Sequence, residues 1–126
     1  MMALSQLEIG DLLKIDRGLY MHKGVFAGYY QEGPCVLTNT LEHGERLWTL
    51  NAFLNGSTAQ VLSNAHLDRW QIQIRIRQVL QSPQGYDLFT RNCEHTVNWV
   101  LNGKAESPQV KGWATVAGAV ALVLVL

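Results

Sequence analysis

Tyr86-Asp87-Leu88-Phe89-Thr90-Arg91-Asn92-Cys93-Glu94-His95-Thr96-Val97-Asn98-Trp99-Val100-Leu101-Asn102-Gly103 is the stretch whose reading decides the fold of this chain. Asn92 carries the short amide that caps helices, Cys93 and Glu94 then fall in the first turn, and Gly103 stands where a helix stops. Val97, Val100 and Leu101 recur on the side of Cys93 at helical spacing. A thiol in that position meets unsatisfied backbone N–H groups and the positive end of the aligned peptide dipoles, which favour the thiolate and make it a nucleophile. For a free cysteine taken alone, the competing reading is a buried structural thiol. His95 follows Cys93 by two positions, which turns it ~200° around the helix. It is therefore expected to be structural, pairing with Glu94 or holding the following strand.

Upstream of this helix the chain alternates short β-like segments with turn signals. Strands are expected at Asp11 to Ile15, Lys23 to Tyr29, Cys35 to Thr40, Arg46 to Leu50 and Ala59 to Leu62, with a short helical piece at Asn51 to Asn55 closed by Gly56. Gln31-Glu32-Gly33-Pro34 and His43-Gly44-Glu45 supply the turns. Asn64 to Gln81 is ambiguous locally, because Trp70, Ile72, Ile74 and Ile76 alternate with polar residues as in a strand. Its length without Gly or Pro, the capping capacity of Asn64, and the stripe Ile72, Ile76, Val79 and Leu80 predict a helix. Ser82-Pro83-Gln84-Gly85 ends it. His22 stands at the start of the second strand, and Gly24 and Gly28 after it let other backbone approach its ring.

Composition removes several function classes. The chain has 126 residues, with 10 Lys plus Arg balanced by 10 Asp plus Glu, so no basic face is available to displace counterions from a nucleic acid. Charged residues make up 16% against about 25% in an average soluble domain, and apolar residues 48%, which argues for a filled core rather than disorder. Two cysteines cannot form a disulfide framework. No C-x-x-C or H-x-x-x-H spacing exists, so neither a metal nor a cofactor is expected. Cys35 reads as a packed strand residue, and His43 and His66 as surface residues. Trp48, Trp70 and Trp99 read as core or interface anchors.

Taken together, Gly10-Asp11-Leu12-Leu13, the Leu19-Tyr20-Met21-His22-Lys23-Gly24-Val25-Phe26-Ala27-Gly28 run, Asn51 to Gly56, and above all the Asn92-Cys93-Glu94-His95 tetrad opening a helix resemble the lecithin retinol acyltransferase-like family. This family is a circularly permuted branch of the NlpC-type papain-like thiol enzymes, and the resemblance covers roughly residues 8 to 103. It implies an α+β fold in which a small antiparallel β-sheet packs against helices; the break in charge composition separately divides the chain into a domain over residues 1 to 111 and an apolar C-terminal tail over 112 to 126. The resemblance also implies Cys93 as nucleophile, His22 as its base, and Tyr20 as a helper in binding the oxyanion. The family's third polar residue, often a second His on the next strand, is replaced here by Thr38-Asn39-Thr40 with His43 beyond. Asn39 can orient the imidazole, and Thr38 is the alternative.

These roles describe attack of the Cys93 sulfur on an ester or amide carbonyl, a thioester acyl-enzyme, and transfer to water, an amine or an alcohol. The reading is a cysteine-dependent acyltransferase or phospholipase acting on acyl chains of membrane lipids. Two others stand beside it: an NlpC-type peptide or cell-wall amidase, and a non-catalytic membrane-tethered domain of the same fold.

Residues 112 to 126, Gly-Trp-Ala-Thr-Val-Ala-Gly-Ala-Val-Ala-Leu-Val-Leu-Val-Leu, carry no charge. As a helix they would span about 22 Å, short of the ~30 Å of a hydrocarbon core. A membrane-dipping helix and a buried core element both fit this composition, and Trp113 suits a lipid headgroup boundary. Glu8 and Asp11 interrupt the apolar N-terminal stretch, which lacks a positive leader, so a cytoplasmic chain with membrane contact through the tail is expected. Deletion of residues 112 to 126 is expected to move the protein from membrane to soluble fractions with its circular dichroism unchanged; loss of the folded spectrum would assign the segment to the core instead.

Overall fold

Alternating apolar positions in the first half of the chain build one sheet, and its two faces collect two different sets of side chains. The computed structural model describes residues 4 to 111, so the 112 to 126 tail and Trp113 lie outside the described residues. A 3-10 turn at Leu4–Gln6 precedes β1 (Leu12–Asp16), β2 (Met21–Tyr30), β3 (Gly33–Thr40) and β4 (Gly44–Thr49). There follow α1 (Leu50–Leu54), β5 (Gln60–Leu62), α2 (Arg69–Gln81) and α3 (Cys93–Asn102). The strands form a five-stranded sheet in the order β4-β3-β2-β1-β5, and every neighbouring pair is antiparallel. The chain is thus an α+β protein. The expected strands are present, with their ends shifted.

Because side chains alternate across a strand, Leu13, Ile15, Phe26 and Val36 join Leu7, Phe53 and Val61 on one face. Val25, Ala27 and Leu37 meet Ile72, Ile76 and Val79 of α2 and Val97, Val100 and Leu101 of α3 on the other. This double burial explains why the middle of β2 reads as an almost unbroken apolar run. Between Phe26 and Gly28 the β2–β3 register shifts by a bulge, and Gly28 takes φ +105°, a conformation that L side chains rarely adopt.

The helix expected from Asn64 starts at Arg69, and Asp68 caps it by accepting the Gln71 N–H at 3.2 Å. Asn64 is used elsewhere: its side chain donates to Gly10 O at 2.8 Å, and its N–H donates to the buried Asp11 carboxylate at 3.3 Å. Asp11 also accepts the Glu8 N–H at 2.9 Å, so the Gly-Asp-Leu-Leu motif works as an anchor for the start of β1. The strand-like alternation in α2 is overridden because Ile72, Ile76 and Val79 form one buried helical face. Trp70 falls opposite that face and is exposed, which removes the core alternative of its reading and leaves the interface one, whereas Trp48 and Trp99 pack against the two clusters. His43 and His66 are exposed, and Cys35 is buried in β3.

Gly24 lets Phe53 lie flat on the sheet. A Cβ there would stand 2.4 Å from Val36 Cγ1 and 2.8 Å from the Phe53 ring. Gly24→Ala is therefore expected to cost about 1–3 kcal/mol, read as a lower urea midpoint, and to displace the Phe53 ring from His22.

Candidate active site

The site is created where β2 and β3 stop pairing. Phe26 turns its N–H and C=O toward the β1 side, bonding Asp11 O at 2.8 Å and Gly10 N at 2.9 Å. By the two-residue period of a strand, Met21 and Lys23 turn theirs toward β3. The β3 ladder reaches β2 only as far as Val25↔Leu37, so these groups need other partners. Side chains supply them. Thr38 Oγ1 donates to Lys23 O at 2.6 Å. The Gln109 amide pairs with Met21 at both ends, accepting its N–H at 2.7 Å and donating to its C=O at 3.2 Å. The Cys93 thiol fills the remaining gap, 4.0 Å from Met21 O and approached by the Lys23 N–H.

Cys93 is the first residue of α3, capped as expected by Asn92, whose side chain accepts the His95 N–H at 3.0 Å. His95 closes a reciprocal capping box, its Nδ1 accepting the Asn92 N–H at 3.0 Å. It is structural as expected, but it stabilises the helix start rather than pairing with Glu94. Glu94 is buried and bonds Lys23 Nζ at 2.5 Å, Ser107 Oγ at 2.7 Å, and the backbone and side-chain nitrogens of Gln109 at 2.9 and 3.2 Å. Burial alone would raise this carboxyl, yet the hydrogen bonds from Lys23, Gln109 and Ser107 carry it below the ordinary carboxylate value.

The loop before α3 is held by a second buried carboxylate. Glu45 of β4 accepts from Arg91 Nε at 3.0 Å, Thr96 Oγ1 at 2.6 Å and Gln84 N at 2.7 Å. Asn39 joins the same clamp, donating to Arg91 O at 2.9 Å and to Gly85 O and Thr96 Oγ1 at 3.3 Å. Its amide nitrogen thus secures the loop, while its buried Oδ1 has no hydrogen-bond partner among the described residues. Thr38, the alternative, is committed to Lys23 O, and His43 stacks edge-on against Trp48.

Cys93, His22, Tyr20 and Asn39 nevertheless line one cavity of about 410 Å³, together with Arg17, Tyr86 and Gln109. A second cavity of about 510 Å³, bordered by Thr38, His43, Trp48 and Phe53, shares Arg17, His22, Thr40 and Glu42 with the first. His22 points to the Gly24 and Phe26 face of β2, where its ring stacks on Phe53 at 5.2 Å between centroids. The sulfur, by contrast, reaches the strand edge from the α3 side. The imidazole and the thiol share the cavity without a hydrogen bond between them, and Met21 O is the partner of the sulfur.

Burial pushes the Cys93 thiol up, and Glu94 adds to the shift against the lowering by the Lys23 and Glu94 N–H groups and the Lys23 charge. This overturns the expectation of a thiolate favoured by the helix start, because desolvation of a nearly inaccessible sulfur outweighs the backbone dipoles. Burial and the Arg17 charge lower His22 to about 4, so its imidazole is neutral at pH 7. The pair therefore rests as thiol and neutral base.

Tyr86, Gln109 and Arg17 are site residues that sequence reasoning missed. Tyr86 opens the diagnostic stretch, which was a usable signal; its hydroxyl is pushed up to about 12 by burial and by Cys93 and Tyr20 beside it, so it stays a proton donor. Gln109 belongs to a polar segment without periodicity and gave none. Among the described residues no group of His, Cys, Asp and Glu could hold a metal ion, and no helix is long and apolar enough to cross a membrane. The molecule is thus an α+β protein whose sheet and third helix bring a buried thiol and a neutral imidazole to one cavity. No protein-family model and no curated protein matches the chain.

Because the folded His22 ring takes its proton near pH 4 and an unfolded one near 6.5, the unfolded chain binds more protons between these values. Stability is expected to fall as pH drops through that window. Arg17→Ala should raise the His22 midpoint while burial keeps it below 6.5, as read by NMR titration of the ring.

Proposed function

We propose that this chain is a cysteine-dependent acyltransferase or phospholipase of the lecithin retinol acyltransferase-like kind, with the permuted papain-like fold, acting on acyl chains of membrane lipids. The observation that carries this reading is the convergence of Cys93, His22 and Tyr20, from α3, β2 and the turn before it, on the walls of one cavity. Cys93 Sγ attacks the acyl carbonyl while His22 takes its proton, directly or through one water. The carbonyl oxygen, now negative, is received by the Cys93 N–H at the helix start and by the Tyr20 or Tyr86 hydroxyl. Collapse expels the alcohol of the lipid, which recovers the proton from His22, and leaves a thioester on Cys93. A second alcohol, amine or water then takes the acyl group, with His22 again as base.

A raised thiol and a lowered imidazole favour proton transfer coupled to attack over a standing ion pair. His22 must swing toward the sulfur, or a water must bridge them, when substrate fills the cavity. The reading includes a cytoplasmic location with membrane contact through residues 112 to 126. A second reading, a non-catalytic domain of the same fold, is favoured by the bond of the sulfur to Met21 O in place of His22.

Intact-mass spectrometry after exposure to phosphatidylcholine separates the two. The wild type is expected to gain one acyl mass, Cys35→Ala to keep it, and Cys93→Ala to lose it. His22→Asn should slow acylation by about 10²- to 10⁴-fold. Acylation that survives loss of Cys93, or no acylation of the wild type by any acyl lipid or activated ester, would favour the non-catalytic reading.

A further inference from the structure

The loops that surround the cavity mouth expose large apolar side chains. The β1–β2 turn carries Leu19, 67% exposed, between Arg17 and Tyr20, and both of these line the cavity. The β3–β4 turn carries Leu41, 63% exposed and itself part of the lining. The loop before α3 carries Phe89, 46% exposed, next to the lining residue Leu88. Because β2 runs antiparallel to both β1 and β3, the two turns lie at the same end of the sheet, where Cys93 also sits. Isolated exposed apolar residues are ordinary, but three carried by separate loops that border one cavity are an arrangement suited to meeting another apolar phase.

We infer that Leu19, Leu41 and Phe89 form a rim that dips into a lipid bilayer surface and sets the cavity mouth against it. The inference deepens the proposed function, on which it rests, by naming the loops that present the site to a lipid substrate. Two further features favour a bilayer over a second protein. Gln109 lines the same cavity, and three positions further along the sequence the run of fifteen uncharged residues 112 to 126 starts. The exposed charges nearby are mixed, with Asp16, Glu42 and Asp87 outnumbering Arg17. Such a rim is held by apolar insertion rather than by attraction to anionic headgroups.

Sedimentation of the full chain with vesicles of phosphatidylcholine tests this. Replacing the rim by Leu19→Ser, Leu41→Ser and Phe89→Ser is expected to lower the vesicle partition coefficient at least tenfold, with the far-UV circular dichroism unchanged because the three side chains are exposed. Tyr29→Ser with Trp70→Ser removes side chains that are 67% and 64% exposed at the far end of β2 and on α2, and should leave partitioning within twofold of the wild type. The segment 112 to 126 is present in every variant, so the difference reports the loops. Cys93→Ala should bind vesicles as the wild type does, which separates docking from acyl transfer. Undiminished binding by the rim variant, or an equal loss in the Tyr29 and Trp70 variant, overturns the inference whatever the outcome for Cys93.

Discussion

Burial of the Glu94 carboxylate against Lys23 is the constraint on which the arrangement of the site depends. A carboxylate removed from water is tolerated only when its charge is compensated and its lone pairs are filled. Here the compensation comes from two parts of the chain: Lys23 of β2, and the segment after α3 through the Ser107 hydroxyl and both nitrogens of Gln109. Meeting that requirement docks the first turn of α3 on the open end of β2 and folds residues 107 to 109 over both. Loss of one partner would leave a buried charge exposed to a cost of about 3–5 kcal/mol. Cys93 precedes Glu94 in the helix, so the same contact sets where the sulfur stands.

A second consequence concerns the sheet. Had β3 continued to pair with β2 past Val25, the backbone groups of Met21 and Lys23 would be consumed by the ladder and no gap would exist for a thiol. The side chains of Thr38, Gln109 and Cys93 take up the backbone groups that the ladder leaves unpaired. Satisfying the backbone and seating the sulfur are therefore the same event. This seating also explains the electrostatics. The sulfur is shielded from water and held as a thiol, and the imidazole, half-buried against Phe53 beside Arg17, is held neutral.

Much of this was legible before any coordinates. Asn92 and Gly103 bracket α3 because a cap and a left-handed stop act within one turn of chain, and both residues act as read. The strands were legible because alternation and turn residues are local signals. The start of α2 was misread because Asn64 and Asp68 are both good caps, and only the demand of Asp11 and Gly10 for partners decides that Asn64 serves the β1 turn. For Trp70 the choice between core and interface was open in the sequence, because a large apolar residue says nothing about which face of a helix will be covered. Asn39 was read toward His22; its Nδ2 is taken by the Gly85 and Arg91 carbonyls, 46 and 52 positions away in the chain, while its buried Oδ1 has no hydrogen-bond partner among the described residues.

The sequence by itself determined the elements and the capped position of Cys93, because each rests on spacing or on residue type within a short window; that this thiol works with His22 is only what the family resemblance implies. Tertiary structure alone decided the state of those groups. Whether a helix start lowers a thiol depends on how much water is left around it, and whether an imidazole meets a sulfur depends on which face of a strand each approaches. Desolvation and the choice of face arise from contacts between distant segments, so no local pattern encodes them.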